Sequence, residues 1–404
     1  MVNNGRSSYY RGNSCAHKIY YYLATIIIVT KLILAYSEII VVPSIVNGIF
    51  NYAFILLMLV KVLTTFNFKL RKVYMFFILF AGMAFYTSVQ IQDYIILYSA
   101  LGIIAIKGMN INAVIRVSYR VKVFWLSLHF ICFIIAMLII PKMVEYSYID
   151  GEIRYRIFLS QPNTCAMLFL WAIFEHIYLN YDRLSFKKFL GCTFISGLVV
   201  YITKSKTSII VYMSLWLLIW LKQKKVVQRF ISLFSKYGYV ILSVFFVSTT
   251  IIYTRSPFVQ KMNVLLTGRL AGAAKAYSMY GFTMFGQYLE LGKKMEWDAI
   301  YGVTSIWLEN TYSMMFINYG IVYAILIAAA LWYASEYLTE KDKIFVCIML
   351  LYGIGESYIV DIFLCFPLLV VATAIYNKHV YLLKNYRIAN TKSDISTDEY
   401  KNLD

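Results

Sequence analysis

Apolar runs recur along this chain from about residue 19 to residue 382, and they constrain its fold more than any other feature. In a bilayer every backbone N–H and C=O must find a partner within its own segment or within a closed barrel. Runs of about 17 to 23 Leu, Ile, Val, Phe and Tyr residues, rather than alternating ten-residue strands, specify helices. With 61% hydrophobic and 14% charged residues over 404 positions, the expected fold class is an all-α polytopic membrane protein. The run from Ile19 to Tyr36 lacks a small-residue cleavage site and is followed at once by another apolar run. It is therefore expected to stay as the first helix.

Breakers and charge clusters divide the chain into about twelve expected transmembrane helices, starting near residues 19, 41, 73, 93, 123, 163, 189, 208, 237, 310, 343 and 361. Basic residues collect in alternate connections: Lys61, Lys69, Arg71 and Lys72; Lys107, Arg116, Arg120 and Lys122; Arg183, Lys187 and Lys188; Lys222, Lys224, Lys225, Arg229 and Lys236. The bias of Lys and Arg to the inner side makes these connections cytoplasmic, with both termini inside. Residues 1–382 are then a single integral membrane domain with two outer loops, at about 142–162 and 254–309, the larger carrying short helices. Residues 383–404 read as a polar cytoplasmic tail.

The net charge of +18 follows from these loop residues, so no nucleic-acid partner is expected. The six cysteines fall mostly inside apolar runs without paired spacing, and the four histidines form no ligand pattern, so neither a metal nor a disulfide is argued for. Phosphate-binding glycine loops and Ser/His/Asp arrangements are also missing from the sequence. Any reaction must therefore draw on energy already stored in its substrate, with no cofactor.

Candidate chemistry concentrates in the two outer loops. In "LLTGRLAGAAKAYSMYG", Thr267 suits a helix N-cap, and Arg269 in the first turn would stand beside unpaired N–H groups as an anion site. A capped surface helix is the plainer alternative. "RYRIFLSQPNTCA" places Arg154 and Arg156 just before Pro162 and Asn163 at a helix start, and guanidinium groups bind diphosphate in bidentate fashion. Lys204 and Lys206 share an outer turn, where either ligand contact or snorkelling accounts for them. Glu309 and Asn310, in "WLENTYSMMFINYG", sit at the outer boundary, where partial desolvation suits a carboxylate to proton abstraction and the helix dipole suits it equally to capping. Glu356, in "GIGESYIVD", is either a further functional acid or the partner of a neighbouring arginine. Tyr277, Tyr280, Trp297 and Trp307 could stack on sugar faces, but interfacial anchoring, which needs no ligand, is the favoured reading.

Taken in order along the chain, "RYRIFLSQPN", "YITKSKTS", "LLTGRLAGAAKAY", "MFGQ", "LENTY", "NYG" and "GESY" resemble the Wzy-type polysaccharide repeat-unit polymerases and the related O-antigen ligases. The resemblance covers roughly residues 154 to 358. The ligases carry a His, then Asn, Ser or Gln, nine residues, a Gly, two residues, and Gly, Thr or Tyr. Here Glu309, Asn310, Gly320 and Tyr323 fit that spacing, with an acid in the histidine position. The resemblance implies a multi-pass protein of the bacterial cytoplasmic membrane that joins polyprenyl-diphosphate-linked oligosaccharide repeat units into capsular or O-antigen-like polysaccharide on the outer face. It further implies Glu309 and Arg269 as catalytic residues. Arg154, Arg156, Asn163, Lys204, Lys206, Gln287, Asn310, Tyr312 and Glu356 would contact substrate. The lipid bilayer and a chain-length regulator are the other partners it allows. A flippase or other transporter of lipid-linked oligosaccharide, or an O-antigen-type ligase, is the competing reading.

Overall fold

A computed structural model describes residues 6–65, 72–149 and 151–378. Lys69, Arg71 and the tail 383–404 lie outside the described residues. The chain is mostly helical, and among the described residues five helices are long and apolar enough to cross a membrane: His17–Ala35, Ser44–Thr65, Ile111–Ile139, Phe186–Thr203 and Lys225–Arg255. Ile45, Leu138, Phe194, Ile210 and Val244 stand largely exposed along helices. An apolar surface of that extent belongs against lipid rather than water.

The helices are α1 (Arg6–Ala35), α2 (Ser44–Thr65), α3 (Lys72–Ile91), α4 (Ile95–Ala105), α5 (Ile111–Ile139), α6 (Pro162–Leu179), α7 (Phe186–Thr203), α8 (Lys206–Leu221) and α9 (Lys225–Ile252). Then come α10 (Pro257–Leu265), α11 (Arg269–Tyr280), a single turn α12 (Thr311–Met314), α13 (Ile321–Ala334), α14 (Glu340–Tyr352) and a closing helix α15 at 367–378. Twelve full-length spans are not found among the described residues. The run expected from 310 is broken: α12 passes into a π-helical turn, Met315–Tyr319, before α13 begins. The run expected from 361 is unwound as far as residue 366, and α4 has only 11 residues.

Two boundary corrections move charges from water into the bundle. The fifth helix starts at Ile111, not near 123, capped by the Asn110 side chain on the Asn112 and Ala113 N–H groups. Lys122, expected in a loop, is consequently fully buried in α5 and meets Glu175 of α6 at 2.6 Å. Likewise Lys61 is buried in α2, donating to Thr65 Oγ1 at 2.6 Å and to the Lys107 carbonyl at 3.2 Å.

Both expected outer loops hold strands that an all-α reading missed. Tyr146–Ile149 (β1) pairs antiparallel with Glu152–Tyr155 (β2), and Lys294–Asp298 (β3) with Val303–Ser305 (β4). The larger loop does carry two short helices, α10 and α11.

Candidate ionic site in the large loop

The site is assembled from three segments far apart in sequence. The first is the start of α11. Leu266 and Thr267 end α10 in a tight turn that reverses through Gly268, whose φ of 86° is readily adopted only without a Cβ. Thr267 is not the cap. Asn263, one helix earlier, accepts from both Leu270 N and Ala271 N at 3.0 Å, so the N–H groups expected to form an anion site already have a protein acceptor. Arg269 is left as the cationic element, its side chain buried and fixed by Nε donating to the Gly355 carbonyl at 2.9 Å and by Nη1 donating to Thr267 Oγ1.

Glu309 is brought in by close packing. A Cβ on Gly272 of α11 would fall 2.6 Å from the Trp307 carbonyl, so only glycine lets the 307–309 strand of chain lie this near the helix. Arg269 Nε is 3.4 Å from Glu309 Oε2, and the Glu309 side chain remains 42% exposed. The third segment is the unwound chain after α14, where Glu356 Oε1 stands 3.8 Å from Arg269 Nη2 with its side chain only 8% exposed. Burial pushes the Glu356 carboxyl up to about 8, Arg269 pulling it back and Glu309 adding to the rise. Glu356 is therefore mostly protonated at neutral pH, and Glu309 is the nearer of the two carboxyls to Arg269.

The surroundings of these three are largely fixed. Thr311 holds the Glu356 carbonyl at 2.7 Å through its hydroxyl and the Gly353 carbonyl at 2.9 Å through its N–H. Asn310 caps α12, accepting from Ser313 N at 2.7 Å, while its buried Nδ2 has no hydrogen-bond partner. Tyr358, two residues past Glu356, shares a 3.1 Å hydrogen bond with Thr164 and meets the Tyr36 ring edge-on at 6.3 Å. Burial, followed by the nearby Glu356 charge, pushes the Tyr358 hydroxyl up to about 12.

The remaining expected site residues divide into several groups. Arg156 lies at the other loop, paired with Glu38 at 3.3 Å and Glu145 at 3.2 Å, and its Nε donates to Ser147. Arg154 is buried on β2, beside it in sequence. Asn163 is half-buried in the first turn of α6, one residue before the Thr164 that touches Tyr358. Lys204, in a left-handed conformation at the end of α7, places its ammonium 4.3 Å from the Tyr201 ring, as a snorkelling lysine would. Lys206 is exposed at the start of α8, and Thr207 beside it packs against Gly355.

Gln287 and Tyr312 are turned inward instead. The Gln287 amide donates to the carbonyls of Tyr280, Gly281 and Ile317, and its backbone exchanges hydrogen bonds with Asn318. Tyr312 is fully buried, donating to the Leu350 carbonyl and stacked 5.5 Å from Phe246. These contacts explain "MFGQ" and "NYG" together. The segment 283–287 runs along the π-helical turn, with Thr283 N to the Phe316 carbonyl at 3.1 Å and Ile321 N to the Thr283 carbonyl at 2.9 Å. Gly320, at φ 102°, lies so close that a Cβ would sit 2.6 Å from the Met284 carbonyl. Both motifs form a clamp that sets where Glu309 and Asn310 stand. Of the aromatic candidates, Tyr277 packs on Phe282 at 4.4 Å and Trp307 lies over Gly292, whereas Trp297 is largely exposed.

Comparison with family models, with curated proteins and with solved structures gives no match for this chain. The chemistry of the site therefore rests on its own residues. Outside this site, ionisable side chains inside apolar runs, namely Lys31, Lys122 and Glu175, and Asp361 in the unwound stretch, are further functional candidates by position alone.

Proposed function

We propose that the chain joins polyprenyl-diphosphate-linked oligosaccharide repeat units by glycosyl transfer at the outer face of the bacterial cytoplasmic membrane. The observation that carries this reading is the meeting of Arg269 with Glu309, the exposed carboxylate, and Glu356, the buried one. An incoming diphosphate competes with Glu309 for the guanidinium. Its arrival stabilises the anion that will leave and at the same time frees Glu309 to act as a base. The acceptor hydroxyl then gives its proton to Glu309, and its oxygen forms the new bond to the anomeric carbon. The bond from that carbon to the diphosphate oxygen breaks, and polyprenyl diphosphate departs with the electron pair. Protonated Glu356 adds no second negative charge beside the leaving group.

Glu309→Gln keeps size and hydrogen bonding but accepts no proton, so polymer formation should fall about 10²- to 10⁴-fold. Lipid-linked single units should then accumulate on the outer face. Normal polymer from this variant would reduce Glu309 to a structural acid and defeat the assignment.

A transporter of lipid-linked oligosaccharide is the second reading, favoured by the unwound stretch before α15 and the buried Lys122–Glu175 pair, since broken helices and intramembrane charges mark transport pathways. Single units accumulating on the cytoplasmic face in a Lys122 variant would support it.

A further inference from the structure

A cavity of about 320 Å³ lies away from the ionic site, between the end of α1 and the start of α2. It is lined by Lys31, Leu34, Ala35, Ser37, Val41 and Asn47, among others. Lys31 belongs to a helix apolar enough to span a membrane, where an ammonium group is costly and needs a reason. Among the described residues it makes no ion pair within 4.0 Å, and its ammonium rests 4.7 Å from the Tyr98 ring. Asp93 and Asp361 act on it only from farther away.

The cavity mouth differs from an ordinary solvent-filled pocket. Ile40, Val41 and Val42 line it between the two helices, and Val41 stands 85% exposed there. A group entering past them is best delivered on a hydrocarbon tail. The opposite wall is polar and structurally held: Ser37 Oγ accepts from Ile40 N at 3.1 Å and shares a 2.9 Å contact with His129, while Glu38 beside it is paired with Arg156. One cation over a small polar floor, reached across an apolar lip, matches a phosphate ester on a lipid.

We infer that this cavity is a second, separate anion site that binds the phosphate or diphosphate headgroup of an outer-leaflet lipid, with Lys31 as the cation and the apolar residues Ile40, Val41 and Val42 as the lip that the tail crosses. The inference stands on the cavity and holds whether or not the chain transfers sugars. Lys31 neutralises the headgroup charge, Asn47 and Ser37 lie within the same wall to accept or donate to its oxygens, and Ala35 sets the depth of the pocket.

The test is binding to the purified full-length protein in neutral-lipid nanodiscs, with phosphatidic acid as the lipid probe and inorganic pyrophosphate as the free anion, both followed by native mass spectrometry. Phosphatidic acid should bind at a saturable site. Lys31→Gln should weaken it at least tenfold and Lys31→Arg should restore it. Ala35→Phe, which fills the cavity and leaves the ammonium in place, should also abolish binding and guards against a fold defect specific to Lys31→Gln. Pyrophosphate binding as tightly as the lipid would overturn the lipid as the source. Unchanged phosphatidic acid binding in both Lys31→Gln and Ala35→Phe would show that Lys31 only offsets Asp93 and Asp361, and would end the proposal.

Discussion

Two of the molecule's ionic clusters are built to different specifications. In the bundle interior, Lys122 and Glu175 are both fully buried at 2.6 Å, with Ser118 on the same carboxylate oxygen at 2.9 Å and the Leu364 carbonyl on the ammonium at 2.9 Å. In the large loop, Arg269 faces two carboxylates at 3.4 and 3.8 Å, one of them 42% exposed and the other without a hydrogen bond on the oxygen nearest the guanidinium. The first is closed by burial: it ties α5, α6 and the unwound stretch before α15 together, both side chains are fully inaccessible, and the pair's one oxygen without a partner among the described residues, Glu175 Oε2, is shut in with them. The second is slack, its nearer carboxyl partner, Glu309, standing 3.4 Å away and open to competition from the solvent side. Buried charge alone therefore does not mark a reactive site. What distinguishes the two is whether the pairing leaves room for a competitor.

The largest effect expected from this contrast is on stability. Removing one partner of the interior pair, as in Lys122→Met, strands a buried carboxylate and should cost about 3 to 5 kcal/mol. Thermal unfolding of the detergent-purified protein should show a large drop, and the double variant Lys122→Met/Glu175→Leu should recover most of it. Failure of the double variant to recover would mean that the charges do more than hold the helices.

The slack cluster should respond in the opposite way. Arg269→Lys retains the charge but loses the planar fork, so polymer yield should fall by at least tenfold while the melting temperature barely changes. If stability fell as much as in Lys122→Met, the two clusters would be the same kind of fixture. Between these extremes lies the clamp on the π-helical turn. Gly320→Ala forces a side chain into φ 102° against the Met284 carbonyl and should cost about 1 to 3 kcal/mol, lowering both stability and polymer yield together.

The contrast also carries a pH dependence. The folded-state pKa of Glu356 is raised to about 8 from an ordinary 4.5, so the folded form holds a proton that the unfolded form releases. Its contribution to stability is present below about pH 4.5, declines as pH rises and levels off above about 8. Thermal melts across that window should slope downward, and Glu356→Gln should flatten the slope. An unchanged slope would place the titrating group elsewhere.

Much of this was legible in the sequence, for identifiable reasons. Apolar runs locate the starts of α3, α6, α7 and α8 within a few residues, because runs of that length have one stable form in a bilayer, whereas α1 begins well before the expected residue 19. Arg269, Glu309 and Glu356 are all recognisable as candidates, yet their convergence is not, since it depends on Gly272 and Gly355 permitting contacts across the loop. The hairpins escaped notice because strands of three to five residues offer too little alternation to read. Lys122 reads as a loop residue when charge marks a helix boundary, yet a partner 53 residues away allows it to lie in the interior. Gln287 and Tyr312 look like ligand contacts in a motif but are required for the backbone clamp, and sequence spacing does not separate these roles.

The central claim is that the slack cluster joins lipid-linked units rather than moving them. It is tested most directly by reconstituting the purified protein in liposomes with polyprenyl-diphosphate-linked repeat units on the face that bears the large loop. The account predicts polymer of increasing length together with released polyprenyl diphosphate, both lost in Glu309→Gln and Arg269→Lys. Single units that cross the bilayer unjoined, with no polyprenyl diphosphate released, would contradict it.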